Sequence, residues 1–198
     1  MSRPASGIIL AGGASRRMGL EKLSLEVEGV PLIERVRDAL TGCCKEVLVV
    51  GGGGVRLEGV RYIAGERPGG LGPLAGIEAG LSSARYALTF IAAGDMPFVT
   101  QSIVGYLLGR LARSGVLAVV PRYRGRIHPL CAAYARTLLP RLGTALDGGA
   151  RAVHGFLEGV DEVEYVGEEL RRFGPPGHLL MNINSPGDLE LARREARR

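Results

Sequence analysis

The chain has 198 residues, 46% hydrophobic and 23% charged, and a formal net charge of +5 at pH 7. That length suits one domain spanning residues 1–198 and burying roughly 70% of its unfolded surface, and no apolar run approaches the ~20 residues of a membrane span. Aromatic residues are only 5% and the arginine excess is dispersed, which removes the basic, aromatic-interleaved pattern of nucleic-acid binders and leaves small anionic substrates to account for the charge.

The first predicted strand is the apolar run Gly7 to Leu10. Ile8 to Ala11 is too short for the core of a secretion signal and is followed by no plausible cleavage site, so a cytoplasmic protein is expected. Directly behind it comes Leu10-Ala11-Gly12-Gly13-Ala14-Ser15-Arg16-Arg17-Met18-Gly19-Leu20-Glu21-Lys22. Two glycines let peptide N–H groups approach an anion, and Arg17 and Lys22 add charge at a distance over which the loop can fold back. A lone Arg or Lys is usually a solvated surface charge, but beside Gly12 and Gly13 the polyphosphate reading prevails. The segment is not a P-loop, because Leu20 and Glu21 separate Gly19 from Lys22. Nor is it a dinucleotide fingerprint, because Arg16 stands where the third glycine belongs.

Leu32, Ile33, Val36 and Leu40 then recur at helical spacing after Pro31. Cys43 and Cys44, with Cys131 later, show no Cys-x-x-Cys spacing and read as small buried hydrophobes. The strand Val47 to Val50 ends in the run Gly51 to Gly54, which reads as a flexible turn because Arg56 occupies the third fingerprint position. Glu66 precedes the turn Pro68 to Gly72, where it either caps amides or accepts hydrogen bonds from a base or ribose; residue type favours the cap. A helix over Pro73 to Leu81 follows.

The strand Ala87 to Ala92 leads through Ala93-Gly94 to Asp95, and Pro97 keeps Met96 extended, so the carboxylate is held just beyond the sheet edge. Such an Asp either ligates magnesium, with a nucleotide supplying the remaining oxygens, or satisfies turn amides. The loop at residues 10–22 favours the metal. A helix through Ile103, Val104, Leu107, Leu108 and Leu111 starts after Thr100 as its cap, and Val116 to Val120 is the next strand. Arg122, Arg124 and Arg126 alternate through Pro121 to Ile127, so an extended backbone would point all three guanidiniums one way. They form either an anion patch for a second phosphorylated substrate or a solvated hairpin face.

His128 before Pro129 reads as structural, and neither His154 nor His178 suggests a nucleophilic triad. Leu130 to Tyr134 reads as a strand, Leu138 to Leu146 as a helix, Glu162 to Val166 as a strand and Pro186 to Ala196 as a closing helix. Asn182 and Asn184 flank Ile183, where alternation puts both amides on one side as candidate acceptor-binding groups; equally, Ser185 caps the closing helix with the asparagines supporting the turn. Continuous apolar strands alternating with helices predict a Rossmann-like three-layer α/β/α sandwich with a mostly parallel sheet. The loops after Leu10, Val50 and Ala92 should meet in one crevice at its carboxyl edge.

The segments Leu10 to Lys22, Gly72-Pro-Leu-Ala-Gly-Ile77, Gly94-Asp-Met-Pro-Phe98, His128-Pro-Leu-Cys-Ala-Ala-Tyr134 and Asn182-Ile-Asn-Ser-Pro-Gly-Asp-Leu189 resemble the molybdenum cofactor guanylyltransferases, a branch of the nucleotidyltransferases of sugar-nucleotide type. The resemblance implies transfer of GMP from GTP to the terminal phosphate of molybdopterin with release of pyrophosphate. By matching position it implies that Leu10, Ala11, Gly12 and Gly13 line the guanine nucleotide. Lys22 and Arg17 would meet its phosphates, and Asp95 would bind Mg2+. Glu66 and Glu21 stand where family members usually carry Asp, and the Asn often found near Gly51 to Gly54 is missing. A protein that makes or receives molybdopterin is an implied partner. The neighbouring readings are a molybdopterin cytidylyltransferase, a cobinamide-phosphate guanylyltransferase, and a non-catalytic nucleotide-binding module.

Overall fold

The computed structural model describes residues 3–12, 22–51, 56–64 and 72–197. In chain order its strands are β1 (Ala5–Ala11), β2 (Glu26–Val27), β3 (Val30–Pro31), β4 (Glu46–Gly51), β5 (Arg61–Ile63), β6 (Leu88–Ala93), β7 (Ala118–Tyr123), β8 (Arg126–Ile127), β9 (Cys131–Ala135) and β10 (Val163–Val166). The helices are α1 (Leu32–Thr41), α2 (Gly72–Ser83), α3 (Gln101–Ser114), α4 (Leu139–Asp147), α5 (Val153–Glu158), α6 (Pro176–Leu179) and α7 (Pro186–Ala196), with 3-10 turns at Arg136–Leu138 and Glu168–Phe173.

The main sheet runs in the order β10-β7-β9-β6-β1-β4-β5, with β8 paired to β7, while β2 and β3 form a separate ribbon. β1 pairs in parallel with both β4 and β6 and is buried along its whole length. Its side chains divide with period two: Ile9 enters one core, Ile8 and Leu10 the other. Val49 and Phe90 join the first core, which α1 and α3 cover; Leu48 and Ile91 join the second, which α2, α4 and α5 cover. This is why the strands read as unbroken apolar runs rather than alternating ones. β9 is antiparallel to both of its neighbours, β6 and β7. β7 is therefore parallel to β6, and the carboxyl ends of β10, β7, β6, β1, β4 and β5 share one edge.

The expected architecture is present, with three local differences. The strand expected at Val116 to Val120 lies at Ala118–Tyr123, because it continues through Pro121 into a hairpin whose turn residues, Arg124 and Gly125, have φ of 49° and 76°. β5 and the β2-β3 ribbon are too short to show a period. α5 has six residues, with Gly155 inside it and Gly159 ending it, and carries no long apolar stripe. Among the described residues no helix is long and apolar enough to cross a membrane. Cys44 and Cys131 are buried and unbonded, and burial pushes each thiol up to about 12.

At the opposite, amino-terminal edge, one carboxylate ties three segments together. Glu46 Oε1 accepts from the Ser6 hydroxyl and from the Arg85 amide, each at 2.7 Å, while Oε2 accepts from Arg61 at 3.1 Å. Burial alone would raise the Glu46 pKa; the Arg85 amide, the Ser6 hydroxyl and Arg61 outweigh it and hold the carboxyl below its ordinary value. A depressed carboxylate contributes stability above its unfolded pKa, and that contribution is lost as pH falls through the folded value. Glu46→Ala should cost about 1–3 kcal/mol at pH 7, chiefly by leaving the buried Ser6 hydroxyl without its acceptor. In denaturation followed by circular dichroism, the gap between wild type and variant should narrow as pH drops below about 4.

Candidate active site

The carboxyl edge is closed by backbone contacts between neighbouring strand ends. The Gly94 amide donates to the Leu10 carbonyl at 3.0 Å, and the Ala93 amide to the Leu130 carbonyl at 2.8 Å. A side chain at Gly51 would lie 3.1 Å from the Gly12 backbone nitrogen, and Gly51 has φ of 80°; only glycine lets the ends of β1 and β4 abut this way. The chain leaving β6 is as tightly hemmed, since a side chain at Gly94 would meet Leu23 at 2.9 Å.

Beyond that edge, four predicted residues come together. Lys22 Nζ donates to Asp95 Oδ2 at 2.6 Å and to Asn184 Oδ1 at 2.9 Å, and Asn182 Nδ2 donates to Asp95 Oδ1 at 3.0 Å. The side chains of Lys22 and Asp95 are 24% and 16% exposed, enough shielding to strengthen the ion pair while leaving it open to a ligand. The Ile183 amide donates to the Asp95 carbonyl at 3.0 Å, and the Ile183 side chain is buried. Strand-like alternation thus sends both asparagines toward the crevice.

Ser185 also caps α7. Its side chain accepts from the Asp188 amide, while Asp188 Oδ2 accepts from the amides of Asn184 at 2.9 Å and Ser185 at 2.8 Å, a complete capping box. The Asn184 amide, foremost, and the Ser185 hydroxyl hold the Asp188 carboxyl below its ordinary value. Asp188 is therefore ionised at neutral pH and fixes the backbone from which Asn184 reaches Lys22. Sequence reasoning passed over Asp188, although Ser-Pro-Gly-Asp carries the signature of a helix start.

Leu10 and Ala11 end β1 at the crevice, and Gly12 is exposed there. Gly13, Arg17 and Glu66 lie outside the described residues. The three arginines do not share one direction as alternation predicted. Arg122 is opposite Ile127 and Tyr123 opposite Arg126, so Arg122 and Arg126 occupy opposite faces of the hairpin, and Arg124 sits at its turn. The positive φ at Arg124 breaks the alternation. His128 is half-buried, and burial, then the charges of His154 and Arg126, lower its pKa. His178 packs on Phe98 with ring centroids 3.6 Å apart.

Among the described residues no group of three or more His, Cys, Asp or Glu side chains converges. Asp95 alone fits a hard divalent ion such as Mg2+, which accepts one or two carboxylates and takes its other oxygens from phosphate and water.

Residues 7–163 match the family model described as the MobA-like NTP transferase domain. A protein of Pelotomaculum thermopropionicum named as a probable molybdenum cofactor guanylyltransferase is 38% identical over 193 residues, covering 96% of this chain and 92% of that one. A Methanosarcina mazei protein of the same name is 35% identical over 199 residues, covering 93% and 88%. Among solved structures, molybdopterin-guanine dinucleotide biosynthesis protein A from Archaeoglobus fulgidus superposes with a TM-score of 0.81 at 30% identity, over 97% of this chain and 98% of that one.

Leu23 adjoins Lys22, so crowding at Gly94 should be felt in both stability and site geometry. Gly94→Ala should lower the melting temperature by roughly 2–10 °C. Combining it with Leu23→Ala should recover part of that loss, giving a non-additive double-mutant cycle by calorimetry; strict additivity would contradict the contact.

Proposed function

The chain belongs to the MobA-like NTP transferase family, and on that premise we propose that it transfers GMP from GTP to the terminal phosphate of molybdopterin, releasing pyrophosphate. The observation that carries the chemistry is the meeting of Lys22, Asp95, Asn182 and Asn184 beyond the ends of β1 and β6.

The nucleophile in such a transfer is already a phosphate oxyanion, so a general base is not required; the work is to neutralise like charges and align attack on the α-phosphorus. An ammonium has three donors, and Lys22 uses two on Asp95 and Asn184, leaving one for a phosphate oxygen. Asn184 keeps the ammonium from folding wholly onto Asp95. Asn182 holds the Asp95 carboxylate in one orientation through Oδ1. The exposed backbone at Gly12, with Gly13 following, lines the nucleotide in this reading. Arg17 adds charge at the phosphates, and Glu66 accepts from the base or ribose. Mg2+ carried on the triphosphate and held by Asp95 would supply Lewis-acid neutralisation of the reacting and leaving phosphates.

The test is pyrophosphate release from purified protein with Mg2+, molybdopterin and either GTP or CTP. GTP should support turnover and CTP should not; a preference for CTP would replace the guanylyl reading with a cytidylyl one. Lys22→Ala and Asp95→Ala should each lower the rate by about 100-fold or more while the circular dichroism spectrum stays native. Either variant retaining near wild-type turnover would refute the assigned roles.

A further inference from the structure

β7 lies two strands from β6, about 10 Å along the carboxyl edge at the usual strand spacing. The hairpin after β7 and the end of β10 therefore flank the Lys22–Asp95 cradle on the side away from β1 and β4.

On that side the Arg122 guanidinium lies over the Tyr165 ring, 3.9 Å from its centroid. Tyr165 is half-buried and packed against the second core, so its ring is held in place. Arg122 is exposed and, among the described residues, meets no carboxylate. Other arginines around β10 differ: Arg110 is paired with Glu164 and Arg141 with Glu162 at 2.7 Å. An arginine backed by an aromatic face and lacking a counter-ion presents a flat cation to the solvent side, a surface suited to another planar ring or to an anion.

We propose that Arg122, stacked on Tyr165, is the platform on which the fused ring of the acceptor docks while its terminal phosphate reaches Lys22 and Asn184. The inference rests on the reading of the acceptor as molybdopterin, a phosphate ester carrying a pterin, and it assigns the ring end of that molecule. Arg126, on the opposite face of the hairpin, is outside the platform.

Steady-state rates with GTP, Mg2+ and molybdopterin, measured for Arg122→Met, Tyr165→Leu and Tyr165→Phe, provide the first test. Arg122→Met and Tyr165→Leu should each raise the KM for molybdopterin about tenfold, the size of one lost stacking contact, with the KM for GTP changed less than twofold. Tyr165→Phe, which keeps the ring, should restore most of the affinity. Unchanged acceptor KM in both ring-platform variants, or an equal rise for GTP, would overturn the proposal. The second readout is independent of turnover: titration of pterin-6-carboxylate against each protein by fluorescence quenching. Quenching in wild type that is lost in Arg122→Met and Tyr165→Leu upholds ring docking, and equal quenching in all four proteins overturns it. A wild type that binds pterin but does not turn over with molybdopterin would refute the guanylyl reading and leave the platform standing.

Discussion

The two oxygens of one carboxylate hold together parts of the chain that are otherwise far apart. Asp95 Oδ2 takes Lys22, 73 residues upstream, and Oδ1 takes Asn182, 87 residues downstream. The rest of the site depends on that bridge. β6 brings Asp95 to the sheet edge, the close approach at Gly94 brings Leu23 and hence Lys22 beside it, and the Ile183 amide seats the asparagine segment on the Asp95 carbonyl. Three regions distant in sequence are thereby committed to one spot before any ligand arrives.

Charge at this spot is balanced from within. Lys22 is matched by Asp95, so neither ion is left half-buried without a partner, which would be costly. Under the proposed reading, a polyanion with its metal would bring charges of both signs to a pair that already matches them: Lys22 would offer its remaining donor to phosphate and Asp95 would hold the metal. At the other edge of the sheet, Glu46 binds the starts of β1 and β4 to the chain after α2. The strands consequently have a fastened amino edge and an open, polar carboxyl edge, so substitutions that weaken the first need not touch the chemistry of the second.

Much of this was legible in the sequence. Unbroken apolar runs marked buried strands, Pro97 and Gly94 marked the step that projects Asp95, and the alternation of Asn182 and Asn184 about Ile183 put both amides on one side. The parts that escaped were those with no period to read. β5 has three residues, and α5 has six with Gly155 among them. The arginine hairpin was misread because alternation presumes an extended backbone, and one left-handed residue at Arg124 reverses it. The stacking of Arg122 on Tyr165 joins strands 43 positions apart, a separation that local sequence does not encode. Asp188 is the reverse case: its capping signature was readable, but its importance came only from what stands before it, Asn184.

The family match ends at residue 163, yet half of the polar cradle comes from Asn182 and Asn184, and their backbone is anchored by the first turn of α7. The terminal helix is thus a clasp rather than an appendage. A chain cut back to the end of that match would keep β1 to β9 but lose β10 beyond Val163, and with it both asparagines and the helix that fixes their backbone.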